Sequence, residues 1–320
     1  MFLGGISYGV SLDLGFFVFF SVFLHHHCVF PHPFEIFLHI FYLGHPQRYW
    51  ELQSGQSSQQ PFTASGIHEK VNFWKEKLKP SEYIMNIIEH GYKIPFKAYP
   101  PGFYAPNNKS SLQHEDFVTS SITELLRSKC IEETLTPPFC VNPLTVAEKP
   151  KLRLCIDLRH VNKYIDLTKF KYDSLNTVSE MVEEKDYLIT FDLKSGYHHV
   201  KIHPCFQRYL GFSYIIEGKR RFFKFLVLPF GLSSACFIFT KLMRQLVKKW
   251  RSEGKKCAMY IDDGICAGPS LAETTKISKS VTQDLHDAGL TLNIKKSQLA
   301  PSHNVDDVLC PISKNRKTSF

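Results

Sequence analysis

The chain has 320 residues, 43% of them hydrophobic, so it can bury a sizeable core and is not a disordered protein. Its 39 Lys and Arg outnumber its 30 Asp and Glu, and the net charge of +9 favours polyanionic partners such as nucleic acid or an anionic membrane. The nine cysteines form no C-x-x-C pair, which indicates reduced, mostly buried thiols of an intracellular protein, with nucleus and cytoplasm left open.

The first 50 residues differ from the rest and are interpreted as a leader outside the fold. Residues 14–24 form an apolar run that is too short for a transmembrane helix, which needs about 20 apolar residues. Nothing basic precedes the run, which disfavours a signal peptide. A membrane-anchored protein is therefore a weak alternative, and no membrane partner is expected. Residues 51–115, rich in Gln, Ser and Gly at 53–65, are predicted to be a linker and lead-in.

Residues 116–299 carry the globular pattern. Apolar residues recur at helical spacing after Asp116 and predict a helix that Pro137 and Pro138 end. Strands and helices then interleave without a regular βαβ repeat, which predicts an α+β fold. In chain order we expect strands at 141–146 and 152–158 around a basic turn, a helix from Asp173 or Ser174, a strand at 187–193, a strand pair at 209–216 and 221–228, a helix through 239–250, a hairpin with Asp263-Gly264 as its turn, a helix at 271–288 ended by Gly289, and a strand at 291–294.

Two of these apolar strands end in carboxylates. Asp192 closes one strand, and Asp262 and Asp263 follow the uncharged residues 257–261. Mg²⁺ takes oxygen ligands and usually only one or two carboxylates for each ion, so two acidic strand ends suit a pair of ions. An isolated Asp-Asp pair is more often a solvated turn. The additional acid at Asp192 favours a metal site over such a turn. The sequence therefore predicts a metal-dependent phosphoryl-transfer enzyme.

Further segments stand in fixed order around these acids. Residues 187–197, 228–235, 260–264 and 289–296 resemble motifs A, B, C and D of reverse transcriptases, and the resemblance runs from about Phe117 to Leu299. The residues at 191–199, 228–235 and 260–264, with 158–162 upstream, are most similar to the tyrosine-recombinase retrotransposons of the DIRS type, with gypsy-like elements as the nearest competitor.

The resemblance implies a right-hand polymerase of fingers and palm, with a ferredoxin-like palm sheet. It implies an RNA-directed DNA polymerase that joins a dNTP to a primer 3′-hydroxyl on an RNA or DNA template. The catalytic and metal-binding residues would be Asp192, Asp262 and Asp263, holding two Mg²⁺ ions, or Mn²⁺ in their place. Because adjacent strand residues point to opposite faces, the contact of Asp263 is expected to be weaker or indirect.

The resemblance also assigns positions that contact the nucleotide. Lys151 and Arg153 would grip the phosphates, with a solvated basic hairpin as the alternative. Tyr197 would exclude a 2′-hydroxyl sterically, with a core tyrosine as the alternative. Lys296, or Lys295, would protonate the leaving pyrophosphate. The full set of nucleotide-binding positions is Lys151, Arg153, Leu193, Tyr197, Phe230, Gly231 and Lys296.

Template and primer require a basic, partly aromatic groove, because phosphate contacts dominate affinity. The basic stretch 241–256 is the richest in the chain, with a solvated basic helix as the alternative. The fifteen His residues show no zinc-binding spacing, so those near residue 200 are interpreted as structural or superficial. The positions assigned to nucleic acid are Tyr260, Lys248, Lys249 and Arg251.

The resemblance ends after Leu299. The chain is therefore expected to be a copy truncated after motif D, without a thumb and with a disordered tail at 300–320. RNase H and recombinase domains are expected in an intact element of this type. A catalytically silent, retroelement-derived fragment that binds nucleic acid remains the alternative function.

Overall fold

The computed structural model describes residues 62–166, 178 and 180–303. The predicted leader, more than half of the helix expected from Asp173 or Ser174, and the tail after residue 303 lie outside this part of the chain. In the described residues, the α-helices of more than three residues are α1 (Glu82–His90), α2 (Lys109–Gln113), α3 (Glu115–Arg127), α4 (Arg159–Asn162), α5 (Pro204–Gln207), α6 (Ala235–Ser252) and α7 (Leu271–Asp287). The strands are β1 (Phe103–Tyr104), β2 (Ile131–Thr134), β3 (Cys140–Asn142), β4 (Leu144–Ala147), β5 (Arg153–Ile156), β6 (Tyr187–Asp192), β7 (Gly211–Ile216), β8 (Lys219–Phe225), β9 (Lys256–Tyr260), β10 (Asp263–Gly268) and β11 (Gln298–Ser302).

A four-stranded antiparallel sheet in the order β11-β6-β10-β9 carries the acidic strand ends. Helices α6 and α7 pack against it, and the Trp250 indole N–H of α6 donates to Asp284 of α7 at 2.8 Å. Both helices were predicted, because each buries one apolar stripe. Gly289 has φ +80° and ends α7 as predicted, and the next amide, of Leu290, donates to the Leu285 carbonyl at 2.8 Å.

A five-stranded sheet in the order β1-β3-β7-β8-β2 and the two-stranded hairpin β4-β5 form the other part of the molecule. The predicted pair β7-β8 turns at Glu217 and Gly218, whose φ angles of 52° and 73° suit a two-residue hairpin turn. The predicted strand at 141–146 is divided into β3 and β4 at Pro143, which has no N–H to donate. Helices and mainly antiparallel strands mix in this way throughout, which confirms the α+β prediction.

Two predicted elements were wrong in their extent. Helix α3 ends at Arg127 rather than at the prolines, because Lys129 adopts φ +58° and the chain continues as β2. The strand predicted at 291–294 is reduced to one bridge between Leu292 and Leu193, followed by a short 3₁₀ turn, Ile294–Lys296. In both places long-range pairing decides the conformation over local propensity.

The lead-in packs into the same apolar core as the two sheets. Short helical turns, Gly66–Lys70, Val71–Phe73 and Trp74–Leu78, precede α1. Trp74 is fully buried, and its indole N–H donates to the Ala288 carbonyl at the end of α7, at 3.0 Å. Of the described helices, none combines the length and the apolar character that crossing a membrane requires. The seven described cysteines are free thiols and four of them are buried, as predicted.

Candidate active site

The three predicted acids meet at one end of the four-stranded sheet. The register of β6 and β10 places Asp192 directly opposite Asp263. Directly opposite residues of antiparallel strands point to the same face of the sheet. Asp262 lies in the turn that precedes β10. The expectation of a weaker contact for Asp263 assumed one continuous strand through both acids, and this turn removes that assumption.

The turn between β9 and β10 consists of Ile261 and Asp262, because Tyr260 pairs directly with Asp263. Ile261 has φ +57°, in the left-handed region that β-branched residues avoid. Conformations of this kind cost about 1–3 kcal/mol and are concentrated at functional sites. The local fold therefore maintains a strained turn at the point where the acids meet.

Gly264 does not form the turn, so the predicted Asp263-Gly264 turn was wrong. Its role is to make room for Phe191, its direct partner on β6. A Cβ atom on Gly264 would lie 2.0 Å from the Phe191 ring, which itself packs edge-on against Trp250 at 6.0 Å. The glycine lets β10 lie close enough to β6 for the two acidic ends to be neighbours.

Reduced hydration of the carboxylates and repulsion between their charges dominate the electrostatics of the site. Reduced hydration, followed by the charge of Asp192, raises the pKa of Asp262, while Lys296 and Arg153 lower it. Asp263 is exposed at the tip of the hairpin, yet reduced hydration of its carboxylate and the charges of Asp262 and Asp192 raise its pKa to about 7. Negative charge is thus concentrated beyond what the neighbouring cations neutralise.

The segment after α7 fixes the backbone of Asp192. The Asp192 N–H donates to Ser297 Oγ at 3.0 Å, and the Asn293 N–H donates to the Asp192 carbonyl at 2.8 Å. Lys296 Nζ lies 3.6 Å from Asp192 Oδ2. The sequence left Lys296 and Lys295 as alternatives, and of the two the structure brings Lys296 to the acids.

Tyr197 lies beside the acids on a 3₁₀ turn, Gly196–His199. A Cβ atom on Gly196 would lie 3.2 Å from Asp262 Cβ, so this turn packs directly against the acidic hairpin. The Tyr197 hydroxyl is 2.7 Å from Cys236 Sγ, and its ring centroid is 5.0 Å from that of Phe230. Tyr197 is buried and Phe230 is 44% exposed, so Phe230 forms the accessible part of this pair.

The predicted basic hairpin is confirmed as β4 and β5, with Arg153 paired to Ala147 at its outer end. Lys151 lies in the exposed turn. Arg153 is near enough to Asp262 for its charge to lower the pKa of that carboxyl. Leu193 is buried and acts through its backbone, since its N–H donates to the Asp262 carbonyl at 2.9 Å.

Some basic side chains near the end of α6 have partners within the protein. Lys249 Nζ lies 2.7 Å from Asp284 Oδ2, and Arg251 Nε donates to the Cys257 carbonyl at 2.9 Å. Lys248 is exposed, and Tyr260 is 53% exposed beside the acids. Of the four positions assigned to nucleic acid, Lys248, Arg251 and Tyr260 are exposed, and Lys249 is half-buried.

His198 and His199 are buried, and burial lowers the pKa of each to about 4, so both are neutral in the fold. His203 begins α5, where its Nδ1 accepts from the Cys205 N–H at 3.3 Å. These contacts agree with the interpretation of the three histidines as structural.

Metal binding rests on the chemistry of the donors. Nowhere in the described part of the chain do three or more His, Cys, Asp or Glu side chains form a ready-made metal cluster. The carboxylates at the hairpin nevertheless supply the oxygen atoms that Mg²⁺ prefers, and reduced hydration together with neighbouring carboxylate charge raises the pKa values of Asp262 and Asp263. A divalent cation fits this donor set.

Two contacts of the site were missed by sequence reasoning. Cys236 touches the Tyr197 hydroxyl, and Asn162 forms hydrogen bonds with the backbone at Gly231 and Ser233. Asn162 ends the segment 158–162 that contributed to the family resemblance. That resemblance was the only feature of the sequence that pointed to Asn162. No local pattern indicates Cys236.

The family profile described as "Reverse transcriptase (RNA-dependent DNA polymerase)" matches residues 146–308. The Transposon Tf2-3 polyprotein of Schizosaccharomyces pombe (strain 972 / ATCC 24843) is 24% identical over 225 residues, which are 70% of this chain and 16% of the polyprotein. The Transposon Tf2-7 polyprotein of the same organism is 23% identical with the same coverage. The chain thus spans about a sixth of the length of these curated relatives.

Two solved structures share the fold. The native prototype foamy virus protease-reverse transcriptase superimposes with a TM-score of 0.53 and 24% identity, over 65% of this chain and 27% of that chain. The foamy viral protease-reverse transcriptase in complex with an RNA/DNA hybrid gives a TM-score of 0.54 and 20% identity, over 73% and 33% of the respective chains. These similarities confirm the predicted fold of fingers and palm.

Proposed function

Because this chain belongs to the reverse transcriptase family, we propose that it is an RNA-directed DNA polymerase of a retrotransposon. It would transfer a nucleotide from a dNTP to the 3′-hydroxyl of a primer. The observation that carries the proposal is the register of β6 and β10, which places Asp192 opposite Asp263 with Asp262 in the turn between β9 and β10.

Asp192, Asp262 and Asp263 would hold the metal ions. Two Mg²⁺ ions bound there, or Mn²⁺, would lower the pKa of the primer 3′-hydroxyl and neutralise the triphosphate. Reduced hydration, followed by the charges of Asp262 and Asp192, raises the pKa of Asp263 to about 7, and this supports the assignment because a bound cation stabilises the charged carboxylates.

The residues around the acids would bind and orient the nucleotide. Arg153, with Lys151, would bind the phosphates from the β4-β5 hairpin. Tyr197 would pack under the sugar and exclude a 2′-hydroxyl, and Phe230 would lie next to it at the opening of the site. Lys296, held near Asp192, would carry the proton for the leaving pyrophosphate.

An RNA or DNA template with its primer would be the macromolecular partner. One structural neighbour was solved with an RNA/DNA hybrid, which supports a template of either kind. Lys248, Arg251 and Tyr260 are the exposed candidates for contact with it. The subgroup we propose is the DIRS type, on the residues at 191–199 and 228–235, although the curated relatives are Tf2 polyproteins.

Primer extension on an RNA template with dNTPs and Mg²⁺ tests the proposal. Asp262→Asn should lower the incorporation rate by at least about 10³-fold, because positioning and charge neutralisation supply most of the catalysis. Asp116→Asn, which changes an exposed carboxylate of α3, should leave the rate unchanged.

Wild-type chain that binds primer-template in a salt-sensitive way but never extends it would favour the alternative, a silent nucleic acid-binding fragment. Extension that persists in Asp262→Asn would reject the assignment of the acids.

A further inference from the structure

We propose that Asn162 is a positioning residue that holds Phe230 and Gly231 beside the nucleotide site. This inference rests on the proposed polymerase function. Asn162 ends α4, the short helix that follows the β4-β5 hairpin. Its Nδ2 donates to the Gly231 carbonyl at 2.8 Å, and its Oδ1 accepts from the Ser233 N–H at 3.0 Å. The Asn162 amide therefore forms hydrogen bonds through both its nitrogen and its oxygen to the loop that leads into α6.

The loop requires such support because its backbone is unusual. Gly231 has φ +103°, a conformation that side chains rarely adopt. A Cβ atom at this position would lie 2.5 Å from the Ile156 carbonyl at the end of β5. The loop therefore lies directly against the fingers strand, and a small shift of either element displaces Phe230.

Packing alone leaves Phe230 room to move. Its side chain is 44% exposed, and behind it lies a cavity of about 30 Å³ that also borders Leu154, Ile156 and His198. A space of this size accommodates about one water molecule. The rings of Tyr197 and His198 contact one side of Phe230, and the hydrogen bonds of Asn162 fix the backbone just after it.

Asn162 consequently links two parts of the site. The strand that carries Arg153 ends at Ile156, three residues before α4 begins, and the loop that Asn162 holds carries Phe230, which touches Tyr197. Through Phe230, Asn162 would set how tightly the incoming nucleotide is held, without touching the reacting atoms itself.

Steady-state incorporation by the full chain on primer-template tests this role. Asn162→Ala should raise KM for the dNTP about tenfold with kcat within about threefold of wild type, since small displacements of positioning groups weaken binding markedly. Asn162→Asp keeps the acceptor for the Ser233 N–H but turns an oxygen toward the Gly231 carbonyl, so its KM should rise at least as much. Asn162→Asp also decides the question if Asn162→Ala fails to fold.

The chain offers a matched control in Asn107. Its Nδ2 donates to the Ser213 carbonyl at 2.9 Å, and its Oδ1 accepts from the Leu144 N–H at 2.9 Å. Asn107→Ala therefore removes the same kind of hydrogen-bond pair away from Phe230. It should lower Tm by a similar amount to Asn162→Ala and leave KM within about twofold of wild type.

An unchanged KM in both Asn162 variants, or a fall in kcat alone that follows Tm as in Asn107→Ala, overturns the inference while the polymerase function stands. Wild-type chain that extends no primer with either Mg²⁺ or Mn²⁺ rejects the polymerase function, and the inference with it.

Discussion

Two pairs of adjacent acids lie in or next to the described sheets, and the fold places them in opposite environments. On β2, Lys224 Nζ lies 2.7 Å from Glu132, and Arg221 Nε donates to Glu133 at 2.6 Å. Arg221 lowers the pKa of Glu133. At the turn between β9 and β10, the acids face a further carboxylate across the sheet and their pKa values are raised.

The difference shows that the residues on the neighbouring strand decide whether the charge of an acidic pair is neutralised. Cations from β8 neutralise the acids of β2, which then stabilise an exposed edge of the five-stranded sheet. The carboxylate opposite Asp263 has the reverse effect and leaves negative charge that a proton or a bound cation can neutralise. The second pair also adjoins the strained turn residue Ile261, whose φ angle is +57°.

The largest expected effect is on catalysis. Asp263→Asn should lower primer extension by at least about 10³-fold, because it removes a proposed metal ligand. Glu133→Gln, which alters the neutralised pair, should leave extension unchanged. Equal losses in the two variants, measured as single-turnover incorporation, would contradict the distinction between the pairs.

A divalent metal ion should stabilise the folded protein through Asp262 and Asp263 and not through Glu132 and Glu133. Saturating Mg²⁺ should raise Tm of the wild type by about 2–6 °C, because an ion that binds the folded state shifts the unfolding equilibrium. The shift should be at least halved in Asp263→Asn and retained in Glu133→Gln. Thermal unfolding with and without Mg²⁺ measures it, and Ca²⁺ serves as a second oxygen-binding cation without polymerase chemistry.

The two pairs should respond to pH in opposite directions. The folded-state pKa of Asp263, about 7, lies above its ordinary value of 3.8, so the folded chain retains a proton that the unfolded chain releases. This contribution makes stability fall as pH rises between about 4 and 7. The lowered pKa of Glu133 contributes stability above its ordinary value of 4.5, which is lost as pH falls through its folded pKa.

Tm measured without metal from about pH 2.5 to pH 8 separates these contributions. Asp263→Asn should flatten the decline toward neutral pH, and Glu133→Gln should flatten the loss at the acid end. A decline of the same size in Asp263→Asn and wild type would assign it to other groups.

The smallest expected effect is the stability that the neutralised pair provides. Glu133→Gln should lower the free energy of unfolding by no more than about 1 kcal/mol, because exposed ion pairs contribute little. Urea unfolding of Glu133→Gln, Arg221→Met and the double variant measures the coupling. A coupling of several kcal/mol would show that the edge of the five-stranded sheet depends on this pair.

Much of the fold could be predicted from local pattern. The apolar stripes of α6 and α7, the basic hairpin β4-β5 and the turn at Glu217-Gly218 each follow from residues close in sequence. The end of α3 and the turn at Ile261 could not, because pairing with distant strands determines both. The contacts of Asn162 could not be predicted either, because its partners Gly231 and Ser233 lie about 70 residues away in the sequence.

The sequence by itself determined which acids the chain has, their order, and the apolar strands that deliver them, and these were sufficient to indicate the family. Only the tertiary structure decided that Asp263 lies opposite Asp192 and that Lys296 rather than Lys295 reaches the acids. The physical reason is register. A strand that pairs one residue further along points every side chain to the other face, and here the Phe191 ring above Gly264 selects the register that brings the acids together.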